Sequence, residues 1–458
     1  MSKSSHIDML NGPIAIKLIL FALPVAASAF LQQLLNAADV AVVGRFASSQ
    51  AMAAVGANTF VINLMLNLFV GLSVGANVVI ARFIGERRVE DCQRAVHTSV
   101  ALSLISGVFL SIVGWFIARP LLSLLSTPDD ILDLAALYFR IYFLGMPFIM
   151  LFNFASAILR SKGDTRRPLY IMMGSGVVNV LLNLFFVVYL HLTVEGVALA
   201  TLFSSAISSL SLLYLLRHET DEYVHVCINK VKIWKDSLVR ICKIGIPAGL
   251  QGVIFNISNV LIQSGINSLG TACVAANTAS LNFDYFCFFI GNSFGQAGTS
   301  FMSQNFGAQQ IDRCKKIVRD CMILGPGLTF CISMLFILFA GPLSSLFTAD
   351  PEVVALSVAR FEVVITFYSI HSFNEILSGN LRAVGHSVTP AVINVIFICG
   401  VRLMWLFFFF PKNPDFCYLM YCYPISWVIN ISVLMPVTIY LLRKEFTSSA
   451  TSLSATRG

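Results

Sequence analysis

Charge is what this 458-residue chain has least of. Asp, Glu, Lys and Arg together make up 12% of it, about half the share of a soluble domain, whose surface must be solvated. That shortage excludes a soluble enzyme and a nucleic-acid binder. No polar block runs longer than about two dozen residues, so no sizeable soluble domain fits beside the apolar part. The eleven cysteines are an odd number without the spacing of a disulfide framework or a zinc site. Several of them (Cys273, Cys287, Cys331, Cys399) lie in apolar runs, where they act as small hydrophobes. The first apolar run, 14–43, is too long for the core of a cleavable signal, which takes about 7 to 15 residues. What fills the chain instead is 57% hydrophobic residues, with 38 Phe and a mean hydropathy of +0.81. The bilayer is the solvent that suits it.

A spanning helix takes about 20 apolar residues, or about 30 when tilted. Twelve runs qualify: 14–43, 51–80, 95–118, 132–160, 168–190, 194–216, 240–269, 272–302, 315–346, 353–383, 388–410 and 418–442. The expected fold is all-α and integral to the membrane, with twelve transmembrane helices. Basic residues orient it. One side collects Arg82, Arg87, Arg88 and Arg94, then Arg160, Lys162, Arg166 and Arg167, then Arg217 to Lys243 with six basic residues, then Arg313, Lys315, Lys316 and Arg319, with Arg382, Arg443 and Lys444. The opposite loops hold only Arg45, Arg119 and Lys412. Both termini are therefore expected in the cytoplasm, and the net charge of +7 reports topology.

The sequence repeats. Leu159-Arg160-x-x-Gly163 followed by Pro168 returns as Leu381-Arg382-x-x-Gly385 followed by Pro390, an offset of 222. Ala53-x-Val55-x-Ala57-Asn58-Thr59 returns as Ala272-x-Val274-x-Ala276-Asn277-Thr278, and Gly85 with Cys92 as Gly307 with Cys314. Leu23-Pro24 and Asn36 match Ile246-Pro247 and Asn259. Each half holds six spans, an even number, so the two six-helix lobes share one orientation and relate by a pseudo-twofold along the membrane normal. The reading is a first lobe at 1–216, a cytoplasmic linker at 217–239 and a second lobe at 240–458 with a short cytoplasmic tail. Such parallel repeats are a transporter plan. A channel fits less well, because no filter-like segment or charged ring is present.

Polar residues inside apolar spans need partners or a wet cavity. Gln32, Asn36 and Asp39 fall at i, i+4, i+7 on one helix face. Asn63 with Asn67, and Asn179 with Asn183, repeat the i, i+4 spacing. These amides either line a polar cavity or tie helices together at roughly 0.6 kcal/mol each. Asp39 differs, because a charged carboxylate in a span costs about 2.5 to 3.5 kcal/mol and the first two spans offer it no nearby cation. That makes it a candidate proton carrier, against the alternative of a permanently hydrogen-bonded structural Asp. The second half carries Asp284, Glu375 and Arg402 within spans, with Arg360 and Glu362 nearer an outer end. The first three form either a neutralising network around Arg402 or a cation site, since two carboxylates leave one negative charge over. Pro24 and Pro247 interrupt long helices and permit a bend.

Gly12-Pro13, Phe21-Ala22-Leu23-Pro24, Asn36-Ala37-Ala38-Asp39, Val43-Gly44-Arg45 and Leu159-Arg160-x-x-Gly163-Asp164-Thr165 with Pro168 together resemble the multidrug and toxin extrusion (MATE) family, over nearly the whole length. The likeness is to bacterial members of the DinF-like and MepA-like kind. The resemblance implies two lobes around a central cleft and export of organic, often cationic or amphipathic compounds, driven by inward flow of H⁺ or Na⁺. It places Asp39 on the family's first-helix acid, and Tyr138, Asn179 and Thr201 on positions around that acid. Asn183 stands where the DinF-like branch often has a second acid. The seventh-helix acid of Na⁺-coupled members is missing from Ile254-Phe255-Asn256.

The leading expectation is a secondary antiporter, H⁺-coupled through Asp39, in the bacterial inner membrane. Gln32, Asn36, Asn63, Asn67, Asn256 and Asn259 are the candidate lining of its cavity. A small-molecule substrate and membrane lipid are its partners, it needs no cofactor or metal, and it works as a monomer. The competing reading is a flippase for lipid-linked saccharide precursors, which would call for several cavity-facing cations. An intramembrane enzyme is disfavoured by the want of a metal cluster or a Ser-His pair.

Overall fold

A computed structural model describes residues 6–124 and 127–455. Long apolar runs leave the backbone no partner but itself, and the chain is helical nearly throughout. The first half comprises α1 (Ile14–Phe46), α2 (Ser49–Gly85), α3 (Val89–Leu124), α4 (Asp129–Leu144), α5 (Met146–Ser161), α6 (Arg166–Leu184) and α7 (Val194–Arg217). The second comprises α8 (Lys235–Asn267), α9 (Thr271–Gly307), α10 (Ile311–Leu338), α11 (Ala340–Ser345), α12 (Pro351–Val364), α13 (Tyr368–Ala383), α14 (Val388–Asn394), α15 (Val401–Met404), α16 (Phe416–Met420) and α17 (Cys422–Ala455). One-turn π segments prolong α6 at Phe185–Tyr189 and join α14 to α15 at Val395–Gly400.

Among the described residues, ten helical stretches are long and apolar enough to cross a membrane, with α12–α13 and α14–α15 each counting as one, and α4 with α5, bent by 48° at Gly145, form an eleventh span. The twelfth expected span is α9, 37 residues long. Its Asn, Ser, Gln and Gly residues keep it out of the apolar set although its length suffices.

The chain divides into two compact units whose borders differ from the lobes 1–216 and 240–458 read from the repeat and its six spans per half. One unit comprises residues up to Asp8 and Ala27–Gly249, and the other Met9–Ala26 and residues from Leu250 on. Both internal borders thus fall inside a helix, two residues past Pro24 in α1 and two past Pro247 in α8. Backbone contact explains the assignment. In the first unit, Gly71 and Gly75 of α2 meet Gly245 and Gly249 of α8 so closely that a methyl group on any of them would run into opposing main chain, the close approach that small-x-x-x-small spacing permits in lipid. In the second unit, Phe21 packs edge-on against Phe301 with ring centres 5.6 Å apart, and the Asn305 amide donates to the Met9 carbonyl at 3.0 Å.

The repeated Leu-Arg-x-x-Gly motif has a structural cause. Gly163 (φ 95°) and Gly385 (φ 101°) both sit in the left-handed region just past a helix end. There the next residue's N–H reaches back to the leucine carbonyl: Asp164 to Leu159 at 3.0 Å, His386 to Leu381 at 2.9 Å. This 6→1 closure wants glycine.

Candidate functional site

The best-defined polar site lies in the first unit. Three helices bring Asp39 (α1), Asn179 and Asn183 (α6), and Thr201 with Ser204 (α7) together. Asp39 is 6% exposed. Its Oδ1 accepts from Asn183 Nδ2 at 2.6 Å and its Oδ2 from Thr201 Oγ1 at 3.1 Å. The same Asn183 amide donates to Asn179 Oδ1 (3.2 Å), Asn179 donates to Ser204 Oγ (3.3 Å), and Ser204 Oγ donates to the Thr201 carbonyl (3.1 Å). The bonds close a ring around the carboxylate. The i, i+4 spacing of Asn179 and Asn183 stacks both amides on one face of α6, and Thr201 and Ser204 do the same on α7. Among the described residues Asp39 joins no ion pair.

Tyr138, buried on α4, stacks beside Tyr142 with ring centres 5.9 Å apart and forms no hydrogen bond with the carboxylate. The remaining amides expected on the cavity wall stay outside the ring. Gln32, Asn36 and Asn63 are exposed, and Asn67 Nδ2 turns back to the Asn63 carbonyl at 2.7 Å. In the second unit Asn256 likewise bonds its own helix, to the Gly252 carbonyl at 3.1 Å. Pro24 and Pro247 lie within unbroken helices.

The second unit departs from expectation. Arg402, Glu375 and Asp284 do not form one network. Asp284 gives both oxygens to Arg360, whose Nη1 and Nη2 donate at 3.1 and 2.6 Å. Arg360, expected near an outer end, is wholly buried. Glu375 instead accepts from Asn292 Nδ2 at 3.2 Å, and Asn292 in turn accepts from Gln296. Arg402 donates to Ser426 Oγ and to Asn259 Oδ1, both at 3.2 Å. The reason is geometric. Asp284 on α9 faces α12, which carries Arg360, while Arg402 on α15 faces α8 and α17. With Asp284 matched to its own cation, a pair of free carboxylates for a metal cation is not available there. Among the described residues no cluster of three or more His, Cys, Asp or Glu side chains could hold a metal ion.

Sequence reasoning missed Ser204, Ser426 and the role of Arg360. For Arg360 a signal was present: the repeat offset of 222 sets it in the place of Tyr138, beside the other half's acid. The glycine pairs Gly71/Gly75 and Gly245/Gly249 were also readable as two small-x-x-x-small motifs.

Known proteins place this geometry. The MatE family model matches residues 24–185 and again 247–407. A relative named "Probable multidrug resistance protein YoeA", from Bacillus subtilis (strain 168), is 27% identical over 392 residues, covering 84% of each chain. "Multidrug export protein MepA" of Staphylococcus haemolyticus (strain JCSC1435) is 24% identical over 369 residues, 80% of each chain. A solved structure described as the outward-facing conformation of a multidrug resistance MATE family transporter superposes with a TM-score of 0.87 at 22% identity, covering 98% of this chain and 100% of that one. The two matched segments coincide with the internal repeat, and the fold is that of twelve transmembrane helices in two lobes. The chain is a multi-span membrane protein of the MatE family, and members of that family are transporters rather than enzymes.

Proposed function

We propose that this protein is a proton-coupled exporter of organic, often cationic or amphipathic compounds, set in the bacterial inner membrane with both termini and the 217–239 segment in the cytoplasm. The observation that carries the reading is Asp39: a carboxylate 6% exposed, served by two neutral donors and no cation. Burial without a cation makes charge on this group expensive, and taking up a proton removes that cost. The ring has an acceptor in reserve for the added hydrogen, since Asn183 Oδ1 is buried and has no hydrogen-bond partner. A protonated Asp39 would donate where it now only accepts, so the ring must rearrange, and α1, α6 and α7 with it. A positively charged substrate drawn by the carboxylate is released when the carboxylate is neutralised, so proton and substrate compete for one group, as antiport requires.

Asp39 lies fifteen residues past Pro24, about 22 Å along the helix. With the N-terminus inside, that puts it in the outer part of the membrane, where protons enter. Asp39→Asn keeps shape and most hydrogen bonding while fixing a neutral state. In proteoliposomes with an imposed proton gradient it is expected to abolish efflux of a lipophilic cation while leaving the protein folded and inserted. Undiminished efflux, or efflux driven by Na⁺ alone, would overturn the assignment.

A further inference from the structure

The second unit holds two buried guanidiniums for one ion-paired carboxylate. Arg360 consumes Asp284. Arg402, 2% exposed, is left with neutral company: the oxygens of Ser426 and Asn259, and the rings of Tyr423, Phe255 and Trp427, whose centres lie 4.3, 5.7 and 5.9 Å from its guanidinium carbon. Its Nη2 donates to no described residue and is not among the atoms sealed from solvent. Glu375, held by Asn292, joins no ion pair with it. A buried cation with an unused, reachable donor pair is half of a charge-assisted bond. Its surroundings open through α8, where Asn259 is exposed and Phe255 partly so, and at Tyr423, also partly exposed.

We propose that Arg402 recognises the carboxylate of an organic substrate, with Phe255 and Tyr423 flanking its apolar body. This deepens the export reading and rests on it. The chemistry follows from geometry, because a planar guanidinium binds a carboxylate through two parallel N–H bonds, and Arg402 can free Nη1 from Asn259 to join Nη2. An anion here also supplies the charge that the cation lacks inside the lobe.

The test compares two dyes of one scaffold: rhodamine 110, with a free carboxylate, and rhodamine 123, its methyl ester. Binding is read by fluorescence anisotropy to the purified protein in nanodiscs of phosphatidylcholine, so that no anionic lipid competes. The wild type is expected to hold rhodamine 110 about tenfold or more tightly than the ester. Arg402→Gln should erase that preference, so that rhodamine 110 is held no more tightly than the ester. Asn259→Asp places a competing carboxylate against Arg402 on an exposed helix face and should erase it too, which covers the case in which Arg402→Gln fails to fold. Equal affinity for the two dyes in the wild type, or a preference that survives Asn259→Asp, would overturn the proposal. No gradient is imposed, so loss of proton-driven efflux and loss of carboxylate preference are read separately. The failure of this proposal is thereby told apart from the failure of the export reading.

Discussion

Each half of this molecule buries an acid within a long helix, Asp39 in α1 and Asp284 in α9, and the two are treated in opposite ways. Asp39 in the first half is held by an amide and a hydroxyl. Asp284 in the second is clasped at both oxygens by Arg360. At the repeat offset, Arg360 stands where the first half has Tyr138, so a position that carries a neutral ring in one half carries in the other the cation that pairs with Asp284. The difference teaches that internal symmetry carries helices, caps and glycines from one half to the other without carrying electrostatics.

The largest effect should come from breaking the locked pair. Arg360→Met leaves Asp284 buried without a cation, an error that costs about 3 to 5 kcal/mol. It should lower the melting temperature of the detergent-solubilised protein by several degrees, read by size-exclusion fluorescence after heating. The double change Arg360→Met with Asp284→Leu removes both charges and should recover most of the loss. Asp39→Asn, by contrast, swaps one hydrogen-bonded group for another of the same shape and should cost about 1 kcal/mol or less. If Arg360→Met were as stable as the wild type, or the double variant as damaged as the single one, the contrast between a locked and a free acid would collapse.

A smaller effect separates the two copies of the shared turn. Gly163→Ala and Gly385→Ala both force a side chain into the left-handed region, at about 1 to 3 kcal/mol each. Only at position 163 does the new methyl also meet main chain, the carbonyl of Ile7; around Gly385 there is open space. Gly163→Ala should therefore lower the melting temperature clearly more than Gly385→Ala. Equal shifts would mean that the N-terminal segment does not hold the turn.

How far the sequence could be read follows the same division. Spans and repeat follow from hydropathy and spacing, both of which are local. Asp39, Asn179, Asn183 and Thr201 were legible because a lone acid in an apolar helix demands neighbours, and the family resemblance said where to find them. Partner choice in the second half was not legible. Which of Arg360 and Arg402 meets Asp284 depends on the rotation of α12 and α15 about their axes, and charge counting is blind to rotation. The unit borders were hidden for a related reason: the repeat and the apolar spans mark whole helices, whereas Gly71, Gly75, Gly245 and Gly249 bring part of α8 against α2 in the first unit.

The smallest expected effect concerns the outer skin of the same turn. After Gly163 the first half builds a charged cluster: Asp164 accepts from Arg167, Arg167 Nη2 lies 2.7 Å from Glu219, and Lys162 Nζ lies 3.3 Å from Glu219 and 3.2 Å from Asp221. After Gly385 the second half sets His386 Nε2 3.0 Å from a Glu445 oxygen. Burial alone would raise the Glu219 carboxyl, but the charges of Lys162 and Arg167 and the hydrogen bonds from both outweigh it, so the group is held below the ordinary carboxylate range. A carboxyl depressed in the folded state adds stability that is fully present above its unfolded value, about 4.3, and that fades as the pH falls through the folded one. Wild type and Glu219→Gln should therefore differ in melting temperature by a small and constant amount between pH 7 and pH 5, about 2 °C or less for a partly solvated cluster. Below about pH 4 the two curves should converge, as Glu219 takes up its proton and becomes the neutral group that the variant already has. A gap that stayed constant down to pH 3 would mean that the side chain acts through shape rather than charge, and the contrast between the two turns would then reduce to the Ile7 contact alone.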